Sequence, residues 1–394
     1  MAQDPILEAR PTSRRRPKDR REQIVGSAAQ LFWRLGYRRV SMADIGSSVG
    51  IGASALYRHF GSKAELLAAV LDGSLDALDI ALSEIEGADA DTHIEVGSEV
   101  VLVHRELAAL WDRSNVDLSH SDRARLHARR GLVLTRLIGG VSVDAPDSLA
   151  AERRASAVIA VLESPSYHRV VLPAPDFAEL LRGMARAVAA VPLPSATEPP
   201  ARARASRQPV TRREALHAAA SRLFAERGFP SVSLAELGAA AGIAGPTVYN
   251  HIANKGELLA SILNRGMEVL WFRIHGALAV EECPRDTLVR LLDGHIDTLL
   301  TDPLMVSAWL TEVSSLPAEE YDRIQRSQHD YVLEWAALLR EWRPELSEQR
   351  ARVLLHGMFT VVNALARALP VRESPGLGAE ISAIAFAVLR TPVG

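Results

Sequence analysis

The sequence predicts an all-α protein made of two tandem copies of one helical unit, and three observations carry that reading. Residues 40–67 (VSMADIGSSVGIGASALYRHFGSKAELL) align without a gap with residues 232–259 (VSLAELGAAAGIAGPTVYNHIANKGELL), at a constant offset of 192 and with 12 of 28 positions identical. Solenoid repeats recur about every 20–50 residues, so this period marks duplication of a whole domain-sized unit. Most of the remaining chain has apolar residues at helical spacing and few β-branched clusters. Finally, both copies carry the same helix start signals at the same positions.

Taken in order, residues 1–18 are polar, basic and proline-punctuated, the composition of a disordered tail. A first helix is expected over residues 20–35, with Ile24, Ala28, Leu31, Phe32 and Leu35 on one face. Gly36 closes it as a residue able to take a left-handed conformation. Ser41 with Asp44 forms a capping box for the next helix, matched by Ser233 with Glu236 in the second copy. Gly50-Ile51-Gly52 makes a turn, and a short helix over 53–60 follows. Ser62 with Glu65 caps a long helix over 63–85, and Asn254 with Glu257 takes those positions in the second copy.

Beyond each motif the periodicity predicts further amphipathic helices. In the first copy these are 93–112, 121–139, 147–163 and 175–190; in the second, 285–301, 303–315, 318–342, 347–369 and 376–390. Residues 191–210, rich in Pro and Arg, read as a linker. The expected domains are therefore helix-turn-helix units at 19–67 and 211–259, followed by helical cores at 68–190 and 260–394.

Composition narrows the function classes. The chain has 394 residues and is 48% apolar, enough for two to four ordinary domains. No apolar run reaches the roughly 18–20 residues needed to span a bilayer, and the N-terminal segment lacks the apolar core of a secretory signal. Cys283 is the single cysteine, which excludes an intrachain disulfide or a cysteine-based metal site. The histidines, among them His104, His120, His127, His295, His329 and His356, form no metal-ligand spacing, so no cofactor is expected. No GxSxG, Walker, HExxH or strand-linked GxGxxG pattern is present, so the chain does not read as an enzyme. Cytoplasm is the expected compartment.

The net charge of −3 conceals two basic clusters. Arg10, Arg14, Arg15, Arg16, Lys18, Arg20 and Arg21 precede the first motif; Arg202, Arg204, Arg207, Arg212 and Arg213 precede the second. Solvated tails are one reading. Recurrence upstream of both motifs favours attraction to a phosphate backbone.

The motif itself resembles the DNA-binding domain of TetR-family bacterial transcriptional regulators. The residues that carry the resemblance are Gly50-Ile51, Ala55-Leu56-Tyr57-Arg58-His59-Phe60 and Ser62-Lys63-Ala64-Glu65-Leu66-Leu67. In the second copy they are Gly242-Ile243, Pro246-Thr247-Val248-Tyr249-Asn250-His251-Ile252 and Asn254-Lys255-Gly256-Glu257-Leu258-Leu259. The resemblance implies an all-α homodimer with recognition helices in successive major grooves, released from DNA by a ligand in the helical core. Here both copies share one chain, so an intramolecular pseudo-dimer is expected, with a homodimer of whole chains left open. The linker would span about 25 Å as a coil and up to about 65 Å extended, and tethering raises the effective concentration of one half for the other.

On that resemblance, Tyr57 and Tyr249 bond phosphate, and Lys63 and Lys255 add charge beside it; packing against the first helix is the alternative for the tyrosines, and a merely solvated helix-start lysine is the alternative for the lysines. His59 and His251 bond phosphate or cap and pack. Ser41 and Ser233 are N-caps first. Base reading falls to Ala53, Ser54, Ala55 and Arg58, and to Gly245, Pro246, Thr247 and Asn250. Arg58 suits guanine, Asn250 adenine and Thr247 a thymine methyl; Arg58 gripping phosphate is the alternative. Gly52 and Ala244 stand where the family often has a capping serine, although Pro246 fits an early helical turn.

Aromatic residues outside the motifs concentrate in the second half, where Trp271, Met305, Trp309, Trp335 and Phe359 are candidates for a small-molecule pocket. Ordinary helical core is the alternative for each. The expected function is a sequence-specific DNA-binding regulator, a repressor released by a small, largely apolar effector. Its partners would be a double-stranded operator and that effector, with no membrane. The rival is a ligand-binding or scaffold protein in which one or both motifs no longer bind DNA.

Overall fold

A computed structural model describes residues 17–114, 117–141, 149–194, 209–243, 245–280, 283–301, 312–368 and 376–393. Among these residues there is no β-strand. Two compact units divide the chain, Met1–Val70 and Leu71–Gly394.

The first unit holds α1 (Pro17–Leu35), α2 (Met42–Ser48), α3 (Ala53–Tyr57) and the first turns of α4 (Lys63–Glu84). Ile24, Ala28 and Phe32 on one stripe of α1 are buried, as are Ile45, Leu56 and Phe60, and α1 packs on α2. α1 ends where the Gly36 amide donates to Phe32 O, with φ 88° at Gly36. A 3-10 turn, Tyr37–Arg39, leads to α2.

The second unit carries α5 (Ala90–Val103), α6 (Leu107–Ser114), α7 (His120–Val141), α8 (Leu149–Glu163) and α9 (Ala174–Ala190) from the first copy. The second copy supplies α10 (Arg212–Arg227), α11 (Leu234–Ala240), α12 (Lys255–Leu278), α13 (Pro284–Thr301), α14 (Ala318–Trp342), α15 (Glu348–Ala368) and α16 (Leu377–Leu389).

Two expectations for helices need correction. The helix expected over 93–112 is broken into α5 and α6, and His104 leaves the helical region at φ −108°, ψ 49°. Polar ties hold the break: Glu106 is buried and accepts from Ser74 Oγ at 2.9 Å. Arg105 donates to Pro165 O at 3.1 Å and to His168 O at 2.9 Å. Of the helix expected at 303–315, residues 303–311 lie outside the described residues, and Val313–Ser315 form a 3-10 turn.

In the second unit α8 packs along α15, α9 along α16, and α15 along α16, so the last two helices of one copy lie against the last two of the other. One apolar cluster runs through them, including Val158, Leu162, Leu181 and Met184 from the first copy and Leu354, Met358, Val361 and Ile384 from the second. Each such fully buried side chain contributes about 1.5–3 kcal/mol relative to exposure. A Cβ on Gly357 would stand 2.8 Å from Met184 Sδ, so α15 and α9 approach closely there and a larger residue would displace the Met184 side chain. Within this apolar contact Arg153 of α8 pairs with Glu380 of α16, both buried. A buried pair of this kind adds little net stability but penalises any packing that separates its members.

Candidate nucleic-acid interface and core cavity

Both motifs are assembled by the same local chemistry. Ser41 Oγ accepts from the Asp44 amide at 3.1 Å while Asp44 accepts from the Ser41 amide at 2.8 Å. In the second copy Ser233 and Glu236 repeat this at 3.2 and 2.8 Å. The hydroxyl and amide of Ser41 hold the Asp44 carboxyl below its usual range. Those of Ser233, with Arg227 at 2.7 Å, bring Glu236 to about 2. The turn after α2 passes through Gly50 at φ 70°, and that after α11 through Gly242 at φ 68°. A Cβ on Gly46 would lie 2.7 Å from Ile51 O, and one on Gly238 would lie 2.5 Å from Val248 Cγ2. Neither turn tolerates a larger residue without opening.

The element after the turn differs between copies. Ala53–Tyr57 is α-helical, whereas Gly245–Asn250 is a 3-10 helix, so the expected short α-helix forms only in the first copy. Leu56 and Val248 are fully buried and fix each element to its core. Tyr57 and Tyr249 stand out at 53% and 62% exposure. Ser54, Arg58 and Asn250 are also exposed, while Ala53, Ala55, His59 and Thr247 are partly covered. Gly245 and Pro246 open the 3-10 element. These residues share one element in each copy, on which the two tyrosine side chains are more than half exposed.

The lysines have roles that sequence reasoning missed. Lys255 Nζ donates to Phe229 O at 2.5 Å and Val232 O at 2.8 Å, and stands 4.2 Å from the Phe229 ring centre. Lys63 Nζ stands 4.3 Å from the Tyr37 ring centre. Each therefore ties the start of the long helix to the 3-10 turn before the motif, a cation–π contact in both copies. Two residues of the basic cluster are likewise engaged inside the domain: Arg20 donates to Val49 O at 3.0 Å, and Arg21 lies 4.6 Å over Phe60. An aromatic residue directly after Gly36 and Gly228 was the signal that could have exposed this. His251 Nε2 is buried without a hydrogen-bond partner.

A cavity of about 350 Å³ lies in the second unit. Its walls come from α12, α13, α14 and α15 of the second copy, including Met267, Leu270, His295, Leu299, Val332 and Phe359, and from Arg113, Tyr167, His168 and Arg169 of the first. Of the sequence candidates, Phe359 lines it. Trp335 is fully buried behind it, 5.3 Å from the Phe359 ring, and Trp271 donates through Nε1 to Ser327 Oγ at 2.9 Å. Met305 and Trp309 lie outside the described residues. The cavity wall includes buried histidines. Burial holds His295 at about 4. Burial together with Arg352, His329 and Arg105 holds His356 at about 3. His168, stacked on His356 at 4.5 Å, is held well below its usual value by burial and then by His356 and nearby arginines.

A capped helix, a glycine turn and an exposed phenol-bearing element, built twice on one chain, define a helix-turn-helix DNA-binding regulator. Residues 24–70 and 216–262 each match the family model of bacterial regulatory proteins, tetR family. The chain is 28% identical over 181 residues to the HTH-type transcriptional regulator TtgR of Pseudomonas putida, covering 42% of this chain and 85% of TtgR. It is 24% identical over 148 residues to the HTH-type transcriptional repressor KstR2 of Mycolicibacterium smegmatis, covering 35% of this chain and 71% of KstR2. Among solved structures, the TetR-family regulator PfmR from Thermus thermophilus aligns at 20% identity with a TM-score of 0.41, over 44% of this chain and 97% of PfmR. Both matched segments are TetR-type DNA-binding domains, so the chain carries two tandem copies of that domain. Among the described residues no helix is long and apolar enough to cross a membrane.

Proposed function

We propose that this regulator is a repressor working as an intramolecular pseudo-dimer, which engages one duplex with one recognition element from each copy and releases it when a small molecule fills the core. The observation that carries this reading is the shared apolar cluster of α8, α9, α15 and α16, closed by the Arg153–Glu380 pair. Two copies that bury their last helices against each other leave those faces unavailable to a second chain. Repression follows the relatives named as repressors, KstR2 among them, although FasR of Mycolicibacterium smegmatis, 40% identical over 65 residues, is named as an activator.

In this reading Tyr57 and Tyr249 bond phosphate, with Lys63 and Lys255 close by. Arg58 reads guanine, Asn250 reads adenine and Thr247 meets a thymine methyl. Because Arg58 and Asn250 occupy equivalent positions, the two half-sites differ and the operator is not a palindrome. Selection from random duplexes, paired with a light-scattering mass of the complex, tests this. One chain per site with unequal half-sites is expected; two chains on a perfect inverted repeat would reject the pseudo-dimer. A steep fall of affinity with salt is expected in the same titrations, and a flat response would favour the scaffold reading.

A further inference from the structure

We propose that the cavity of the second copy holds one amphipathic organic carboxylate per chain, its charged end on Arg113 and Arg352 and its body among Leu270, Leu299 and Phe359. This deepens the reading of the chain as an effector-responsive regulator and rests on it for its biological role. The geometry of the wall carries the chemistry. Arg113 and Arg352 line the cavity, and a guanidinium can only donate; among the described residues the Nε of each is buried and has no hydrogen-bond partner. His168 Nδ1 accepts from the Val170 amide at 3.1 Å, so Nε2 carries the proton, and that atom is buried behind the wall with no partner among the described residues. The guanidiniums that reach the cavity ask for an acceptor.

Charge agrees with the hydrogen bonding. Among the described residues, the arginines lining the cavity are Arg113, Arg169, Arg352 and Arg367 and the acid is Glu163, which already pairs with Arg130 at 2.9 Å; Arg169 has an interaction of its own. Arg352 meets Glu348 only at 3.5 Å, and Arg367 meets Asp112 only at 3.6 Å. Planar forked donors suit a carboxylate. On the side of α12 and α13 the wall is Met267, Leu270, Leu299 and the His295 ring, so a ligand reaching it needs an apolar part there. A volume of about 350 Å³ equals roughly a dozen water volumes, which sets a body of on the order of a dozen non-hydrogen atoms.

Stoichiometry follows from the other copy. Leu75 and Leu78 of α4 stand at the same offset of 192 from Met267 and Leu270 of α12, and they line a space of only about 30 Å³. That space has no room for such a molecule. Since Arg113 and His168 belong to the first copy, the ligand in the second copy touches both, and its arrival acts on the contact that joins them.

Calorimetric titration of the full chain without DNA tests the site, using decanoate and 2-naphthoate beside the neutral decanamide and 2-naphthamide. At least one carboxylate is expected to bind once per chain, and its amide at least about tenfold more weakly, the scale of a lost charged hydrogen bond. Arg352→Gln and Arg113→Gln should each bring the carboxylate down to the affinity of the amide, and Arg352→Lys should keep part of the difference. Arg113→Gln alone suffices if the Arg352 variant does not fold. Equal binding of acid and amide, two sites per chain, indifference to both substitutions, or no saturable binding of either carboxylate would overturn the proposal. Because DNA is absent, these outcomes do not depend on operator recognition. A carboxylate that binds as stated yet leaves the protein on its operator would preserve the site and overturn its coupling to DNA.

Discussion

The second copy is hollow where the first is filled. Both spaces are bordered by the same two positions of the same helix, Leu75 and Leu78 in one and Met267 and Leu270 in the other, yet one measures about 30 Å³ and the other about 350 Å³. In the first, Val133, Leu134, Leu137, Ile159 and Leu162 close the gap with branched aliphatic side chains. In the second, the corresponding helices bring Gln325, Gln328, His356, Thr360 and Asn363, whose polar ends cannot pack against one another without partners. The two copies share one scaffold; side-chain chemistry fills the space in the first and leaves a cavity in the second.

The largest test of that contrast is pH. His168, His295 and His356 all face the hollow side and are held neutral by burial. Their unfolded values lie near 6.5. In the folded chain His295 falls to about 4 and His356 to about 3, and His168 lies well below its usual value. Below about pH 6.5 the unfolded chain therefore binds more protons, and stability falls with pH. His295 and His356 together should remove about 3 kcal/mol per pH unit between about pH 6 and 5, at about 1.4 kcal/mol each, and His168 acts in the same direction. Urea melts at pH 7, 6 and 5 read this directly, and His295→Gln should flatten the slope by about 1.4 kcal/mol per unit. A melt independent of pH over that window would mean the histidines are solvated and the cavity open to water.

A smaller effect separates the two pockets by packing. Leu78→Ala in the filled pocket should cost about 2–5 kcal/mol, because its neighbours cannot collapse into the space it leaves. Leu270→Ala, at the equivalent position, should cost less than half of that. Part of its surface already faces a void and has no contacts to lose. Equal losses in chemical denaturation would show that the second pocket is closed in solution.

How much of this was legible in the sequence depends on the range of the interaction. The capping boxes at Ser41 and Ser233 and the turns at Gly50 and Gly242 were readable, because each is fixed by residues three or four apart. The break between α5 and α6 was not: the apolar period of 93–112 continues through it, and the cause is a set of contacts from Arg105 and Glu106 to residues more than 30 positions away. The cavity was legible only in part. Aromatic residues pointed to the second half and to Phe359. The arginines that define its chemistry come from both copies, and no local pattern joins Arg113 to Arg352. The lysines illustrate a third case, where a resemblance suggested phosphate and the structure adds an aromatic ring and, for Lys255, two carbonyls.

The recognition elements give the finest comparison. Gly52 caps α3 with no side-chain hydrogen bond, so its free amides rest on backbone and solvent alone. Gly52→Ser should supply the missing acceptor and stabilise the first motif by a few tenths of a kcal/mol, the usual difference between glycine and serine at that position. The sign carries the information. A gain in stability with unchanged DNA affinity would mean that α3 is already formed before binding, and that the copies differ in the sequence they read. A gain in affinity larger than the gain in stability would mean that ordering this element is part of the binding step. The 3-10 form of Gly245–Asn250 would then mark a second copy that loses more to ordering for each contact it makes.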